Sequence, residues 1–351
     1  MSHTYPREKA VTGPPYPASN IDDVKLSTDH RPPLARRLFS FWTPTPRTMR
    51  GWALASVVVN AGITVSGAVV RVTESGLGCP TWPNCTPDSL LPVAHPEISP
   101  INMAIEFGNR MVTFLVLVVG IACVLSAMRL TPRRTSLVRL AWLQPLGIAA
   151  QALWGGLVVS TMLNPFTVSM HFLISIGLIA ACWALYARAG EGDAPVRRVA
   201  HPATWRLGQA LLAAVFALLV VGVVVTGTGP HSGDVLASRY DFDIETVARL
   251  HADLAYVVVG LTFALLFALH VTDAPRPARR AALALLVIEL AQGVIGYTQY
   301  FLGVPAFLVG LHVLGSTLVW IGALRVVTAL RVRDPLGEAA SPSPTEATAG
   351  A

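Results

Sequence analysis

Eight apolar stretches, each close to the length of a bilayer crossing, constrain this chain more than any other feature. The runs 51–70, 111–128, 140–163 and 165–187 contain no Asp, Glu, Lys or Arg. Each approaches or exceeds the ~20 residues needed to cross ~30 Å of hydrocarbon. Four more follow at about 207–229, 250–271, 281–302 and 306–324. Backbone groups in lipid must be satisfied within the structure, and continuous rather than alternating apolar runs exclude a β-barrel. The expected fold is therefore an all-α polytopic membrane protein with eight transmembrane helices. With 53% hydrophobic and 13% charged residues, the chain is too apolar for an ordinary soluble domain.

A repeat divides the eight spans into two sets of four. His171 and His312 are 141 residues apart, as are Gln151 and Gln292, and Asn109 and His251 are 142 apart. The spacing predicts two pseudo-symmetric four-helix bundles. The N-terminal bundle covers 49–190, a linker covers 191–206 and the C-terminal bundle covers 207–332. Residues 1–48 and 333–351, rich in Pro or in Ser, Pro, Ala and Thr, read as disordered tails. Four helices per half return the chain to the same side, so the repeats are parallel; this fits a transporter of inverted repeats poorly.

The net charge of +6 does not indicate nucleic acid. Of the 26 Lys and Arg, 22 lie before residue 51 or in the segments after spans 2, 4, 6 and 8. The positive-inside rule then places both termini in the cytoplasm. Nothing at the N-terminus resembles a signal peptide, and Glu8, Asp22, Asp23 and Asp29 suit a mitochondrial transit peptide badly. A bacterial plasma membrane, with its lipid as surroundings, is the expected location.

In that topology Asn109, His171, His251 and His312 share one layer, five or six residues inside the outer boundary and roughly 8 to 9 Å deep at 1.5 Å per residue. A single histidine near a membrane helix end is often an interfacial residue bonded to a loop. Three in register across a repeat point to cofactor chemistry, because polar side chains in a bilayer are costly. Imidazoles paired across helices of a bundle are a common way to hold a haem iron. His3, His30, His95, His201, His231 and His270 are weaker candidates, in tails, loops or a cytoplasmic helix end.

Two further constellations lie near this layer. Glu106 stands three and four residues before Asn109 and Arg110, hence on their helical face. It is either a first-turn acid paired to Arg110 or a proton acceptor beside a substrate. Cys79 and Cys85, in an outer loop on the oxidising side, suit a disulfide clamp or a redox relay; zinc would need more ligands than the nearby His95. Cys123 and Cys182 read as small packing residues. Glu289 is an acid inside span 7.

These residues together resemble the haem A synthase family. The motifs are Gly76-Leu-Gly-Cys-Pro-Thr-Trp-Pro-Asn-Cys85, Glu106-Phe-Gly-Asn-Arg110, Gln151-Ala-Leu-Trp-Gly-Gly156, His171, Thr226-Gly-Thr-Gly-Pro-His-Ser-Gly233, His251 and His312-Val-Leu-Gly315. The resemblance covers about 51–332. It implies an oxidoreductase acting on a CH3 group, converting the C8 methyl of haem O to a formyl group through successive hydroxylations with water as oxygen source. It also implies a haem b held by His251 and His312, and substrate haem O near His171. Glu106 matches the family's essential acid, with Arg110 beside it, and Cys79 and Cys85 match its outer cysteine pair. Haem O synthase and cytochrome oxidase assembly factors are the partners it implies, with room for a homo-oligomer. In the family's helix 2 motif, Glu-x-x-His-Arg, this chain has Asn109 at the histidine, which leaves His171 as the one axial histidine for substrate. The alternative is a bis-histidine haem b cytochrome exchanging electrons with quinone, which has no need of Glu106.

Overall fold

A computed structural model of the chain describes residues 42–93, 96 and 98–333. The tails expected at 1–48 and 333–351 therefore lie largely outside the described residues, as do His3, His30 and His95. Eight long helices carry the fold: α1 (Pro46–Val72), α2 (Pro100–Arg129), α3 (Thr135–Ser160), α4 (Pro165–Ala189), α5 (Pro202–Thr228), α6 (Ile244–Val271), α7 (Arg276–Phe301) and α8 (Ala306–Ala329). All eight are long and apolar enough to cross a membrane. This is a multi-pass, all-helical membrane protein.

The helices run past the apolar stretches because their first turns are built from capping residues. Pro46, Pro100, Pro165 and Pro202 open α1, α2, α4 and α5, where a missing N–H costs nothing. Asn164 Oδ1 accepts from Phe166 N–H at 3.0 Å and Asp243 Oδ2 from Thr246 N–H at 2.8 Å, which satisfies orphan donors at those ends. α2 gains most from this. It begins nine residues before Asn109, whereas α4, α6 and α8 begin six or seven residues before His171, His251 and His312.

In the first half α1 packs on α2, α2 on α3, α3 on α4 and α4 back on α1, closing a four-helix ring. α5 to α8 close a second ring in the same order. The seam is formed by α4 with α8, flanked by α1 with α8 and by α4 with α5, the pattern expected when two copies of one bundle meet. Two indoles stitch it: Trp320 Nε1 donates to Ile176 O at 3.0 Å and Trp183 Nε1 to Thr328 Oγ1 at 3.4 Å. Ile176 and Ile179 of α4 join Leu211, Leu265, Leu285 and Val326 in one core that extends across the seam.

The two ends of the bundle differ in chemistry. At one, the arginine face, Arg134 binds Asp193 through Nε at 2.9 Å and Nη2 at 3.0 Å. Arg188 reaches the same carboxylate at 2.8 Å, and Glu191 contacts Arg188, Arg331 and Arg333. The Arg134 hydrogen bond holds the Asp193 carboxyl below its usual range. A two-residue strand β1 (Arg197–Arg198) pairs antiparallel with β2 (Arg331–Val332), tying the linker to the end of α8. At the other end, the histidine face, α2, α4, α6 and α8 begin.

Candidate functional site

Each of the three histidines rests on a glycine of a neighbouring helix. A Cβ on Gly155 of α3 would stand 3.4 Å from His171 Cε1, one on Gly222 of α5 3.2 Å from His251 Cε1, and one on Gly296 of α7 3.5 Å from His312 Cε1. A Cβ would crowd the ring at Gly222 and would make ordinary contact at Gly155 and Gly296. The Nδ1 of His171 and of His312 is buried without a hydrogen-bond partner, and buried polar atoms are rarely left so, while His251 has the backbone of Leu218, one turn before Gly222, beside it.

The second half brings its pair together. His251 and His312 face one another with ring centres 6.3 Å apart and planes at 66°. That leaves about 3 Å on each side of a midpoint, enough for a metal–imidazole bond of about 2 Å and the ring's own half-width. Among the described residues no group of three or more His, Cys, Asp or Glu converges on a common point.

The first half is arranged differently. Asn109 turns to α1, where its Oδ1 accepts from Ser66 Oγ at 2.6 Å, while His171 of α4 rests against Gly155 of α3. Gln151 donates through Nε2 to His171 O at 3.1 Å and to Ser175 Oγ, and Ser175 Oγ donates to His171 O at 3.0 Å. The backbone of the histidine turn is thereby fixed from α3. In the second half the corresponding Gln292 lies against Gly315, so closely that any Cβ there would collide with its carboxamide.

Glu106 and Arg110 hold the loop over the first half. Glu106, 6% exposed, accepts Cys79 N–H at 2.6 Å through Oε2 and Arg110 Nη2 at 2.7 Å through Oε1. Arg110 also donates to the carbonyls of Cys79, Thr81 and Asn84 at 2.8, 3.1 and 3.0 Å. The Cys79–Cys85 disulfide is formed, and both cysteines are fully buried. The loop it closes places the Trp82 indole on Gly156, where a Cβ would come within 2.7 Å of the ring. Gly155 thus receives His171 and the next residue receives the loop. This grip on the loop goes beyond the i, i+4 pair that spacing alone suggests.

The remaining candidates have structural partners. His231 Nε2 lies 2.9 Å from Val304 O and holds the turn between α7 and α8. Cys182 Sγ donates to Gln144 Oε1 at 2.7 Å, and Cys123 is buried packing. His201 caps α5 by accepting Ala203 N–H at 3.2 Å. The supporting residues Ser66, Ser175, Gly222 and Gly296 were not singled out by sequence reasoning, and Gly155 entered only as part of the Gln151–Gly156 motif. One signal was present: Gly155 and Gly296 each follow the paired glutamines by four residues.

The fold and these half-buried imidazoles define a multi-pass helical membrane protein with two unequal polar sites on one face. Residues 50–324 match the COX15-CtaA model, described as cytochrome oxidase assembly protein, and the chain belongs to that family. It is 32% identical over 143 residues to the heme A synthase of Geobacillus kaustophilus, covering 40% of this chain and 43% of that one. It is 27% identical over 336 residues to the heme A synthase of Azorhizobium caulinodans, covering 80% and 93%. A protoheme IX farnesyltransferase of Thermus thermophilus is 27% identical over 303 residues, 80% of this chain and 48% of that one. The chain thus spans less than half the length of the Geobacillus and Thermus relatives that it matches.

Proposed function

We propose that this protein is a haem A synthase. It would oxidise the C8 methyl of haem O to a formyl group through successive hydroxylations, with water as the oxygen source. The observation that carries this reading is the inequality of the two halves: a facing His251–His312 pair in one, and His171 with Asn109 under a clamped loop in the other. Relatives named heme A synthase support it, one of them matched over 93% of its length.

Two opposed imidazoles, with no cluster of three His, Cys, Asp or Glu among the described residues, suit a porphyrin, which brings four equatorial nitrogens of its own. His251 and His312 would hold a haem b, whose chemistry is one-electron transfer. In the N-terminal bundle, 49–190, His171 of α4 would hold the substrate iron, and Gln151 of α3 with Ser175 keeps that turn in place. Asn109 contributes no imidazole, which leaves the substrate held on one side and free to exchange. The Trp82 loop covers the bundle and limits water at the methyl group. Glu106 has the chemistry to accept a proton as the methyl group is oxidised, and Arg110 keeps its carboxylate placed. Each Glu106 oxygen accepts one hydrogen bond and keeps a second lone pair on which a proton can be taken.

Formation of the aldehyde from methyl and water releases four electrons and four protons. The electrons would leave one at a time through the group that His251 and His312 of the C-terminal bundle, 207–332, would hold, to a one-electron acceptor outside the chain. The arginine face is the cytoplasmic side of a bacterial plasma membrane, by the positive-inside rule. Haem O synthase is the natural supplier of substrate, consistent with a farnesyltransferase-named protein that contains a matching stretch in 48% of its length.

A bis-histidine cytochrome is the second reading, favoured by the same ring pair, and Glu106 separates the two. Supplied with haem O, membranes carrying Glu106→Ala are expected to accumulate little or no haem A while retaining haem b. Conversion at the wild-type rate would overturn the synthase reading.

A further inference from the structure

α7 carries a polar stripe that this chemistry leaves unused. Glu289, Gln292, Gly296 and Gln299 follow at steps of three, four and three residues, so they lie on one helical face about 15 Å long. Glu289 is buried and the other three are half-buried, while Leu290, Val294, Tyr297 and Thr298 on the opposite side are exposed. Glu289 Oε1 lies 3.0 Å from Thr262 Oγ1 of α6, and that hydroxyl lies 3.0 Å from Val258 O. A hydroxyl has one proton to give. A protonated carboxyl satisfies both contacts, whereas a carboxylate must share that proton with Val258 O, so the pocket distinguishes two protonation states.

The rest of the stripe is also short of partners. Glu289 Oε2, Gln292 Oε1, Gln299 Oε1 and His312 Nδ1 are buried with no hydrogen bond. Successive polar atoms of this kind are where buried water is held. Toward the arginine face the inward residues of α7 are Leu286, Leu285, Ala282, Ala281 and Ala278, all buried and apolar. The stripe therefore ends at Glu289 and opens only to the histidine face, passing Gly296, on which His312 lies.

From this arrangement we infer that Glu289 is a proton-loading carboxyl. It exchanges protons with the histidine face along the α7 stripe, in step with the charge of the group held by His251 and His312. The inference rests on the reading that this pair holds a haem. When the iron accepts one electron from a one-electron donor, the Glu289 carboxylate accepts one proton from water at the histidine face. An O–H bond forms, the charge inside the bilayer stays constant, and reoxidation reverses both transfers. Seven residues along α7 set Glu289 about 10 Å from the level of His312. At that separation, with an effective dielectric constant of about 20, each charge changes the other's equilibrium by roughly tenfold. The other ionisable groups on the packed helices are distributed along α6 and α8. α6 has Glu245, Arg249, His251 and Asp253 near its start, Tyr256 bonded to Tyr297, and His270 at its end. α8 has His312 and Arg325.

Redox titration of the haem-loaded protein over a range of pH tests this. In the wild type the midpoint potential falls with rising pH between two plateaus about 59 mV apart, the equivalent of tenfold for one electron. Redox-difference infrared spectra contain a carboxyl C=O band that shifts in D2O. Glu289→Gln flattens the pH profile and removes the band, Glu289→Asp keeps both, and Gln292→Leu keeps the band but slows its deuteration. Should Glu289→Gln fail to fold, the wild-type band and the Gln292→Leu rate decide the matter. A Glu289→Gln variant with the wild-type profile, or a wild type without a carboxyl band, overturns the inference. The underlying reading fails separately, if His312→Ala retains the full bis-imidazole haem signal.

Discussion

The two halves of this molecule repeat one helical plan and diverge where it meets chemistry. In the C-terminal half His251 and His312 lie opposite one another with ring centres 6.3 Å apart, and the loop 229–243 between α5 and α6, without a disulfide, reaches the α7–α8 turn through His231 on Val304. In the N-terminal half the slot equivalent to His251 holds Asn109, whose oxygen bonds to Ser66. Above it lies a long loop, closed by a disulfide and gripped by Glu106 and Arg110. Duplication supplied two equivalent sites, and substitution made one symmetric and the other asymmetric. A symmetric pair suits a permanently held group, and an asymmetric site under a cover suits one that enters, reacts and leaves.

The sharpest way to break the comparison is to remove one ring of the pair. His312→Ala should abolish the bis-imidazole haem signal, because a single imidazole cannot supply both axial bonds; electron paramagnetic resonance of the purified variant reads this directly. Asn109→His should make the halves alike, adding a second bis-imidazole signal at the expense of the Ser66 bond and slowing release of the bound haem. An unchanged spectrum would mean that the two slots are not equivalent.

Effects on the loop are smaller. Cys79→Ser opens a ring of six residues' separation, which should cost about 2 kcal/mol on the chain-entropy account. Thermal unfolding in detergent, followed with and without reductant, tests that value. Gly156→Ala places a Cβ within 2.7 Å of the Trp82 ring and should cost about 1–3 kcal/mol as overpacking. Gly155→Ala, 3.4 Å from His171, should be tolerated. If the two substitutions prove equal, the loop does not sit on α3 as described.

The smallest effect belongs to the arginine face, where the Arg134 hydrogen bond holds the folded Asp193 carboxyl below its ordinary value. Its contribution to stability is therefore fully present above that value and is lost as pH falls through the lower, folded pKa. Asp193→Asn should remove this acid-dependent part and leave the neutral-pH histidine face unchanged, as followed by melting temperature against pH.

Much of this contrast was legible in the sequence because it depends on spacing. Eight apolar runs gave the spans, and the 141-residue offset of His171 and His312 paired the bundles. Helix rotation was not legible. That Asn109 turns to Ser66, that Gly155 and Gly222 receive imidazoles, and that Trp82 lies on Gly156 depend on which faces meet after packing, and periodicity alone does not fix them. The role of Glu106 as a loop anchor was hidden for a related reason. Its partner, Cys79 N–H, is 27 residues away, and a backbone donor leaves no mark in residue identity.

The most direct measurement is of the pigment itself. Purified protein produced alongside a source of haem O, extracted and separated by chromatography, should yield haem b together with haem A or its hydroxylated precursor. Loss of His171 should remove the second component and spare the first. A pigment containing no haem, or haem b alone with haem O left unconverted, would contradict the account.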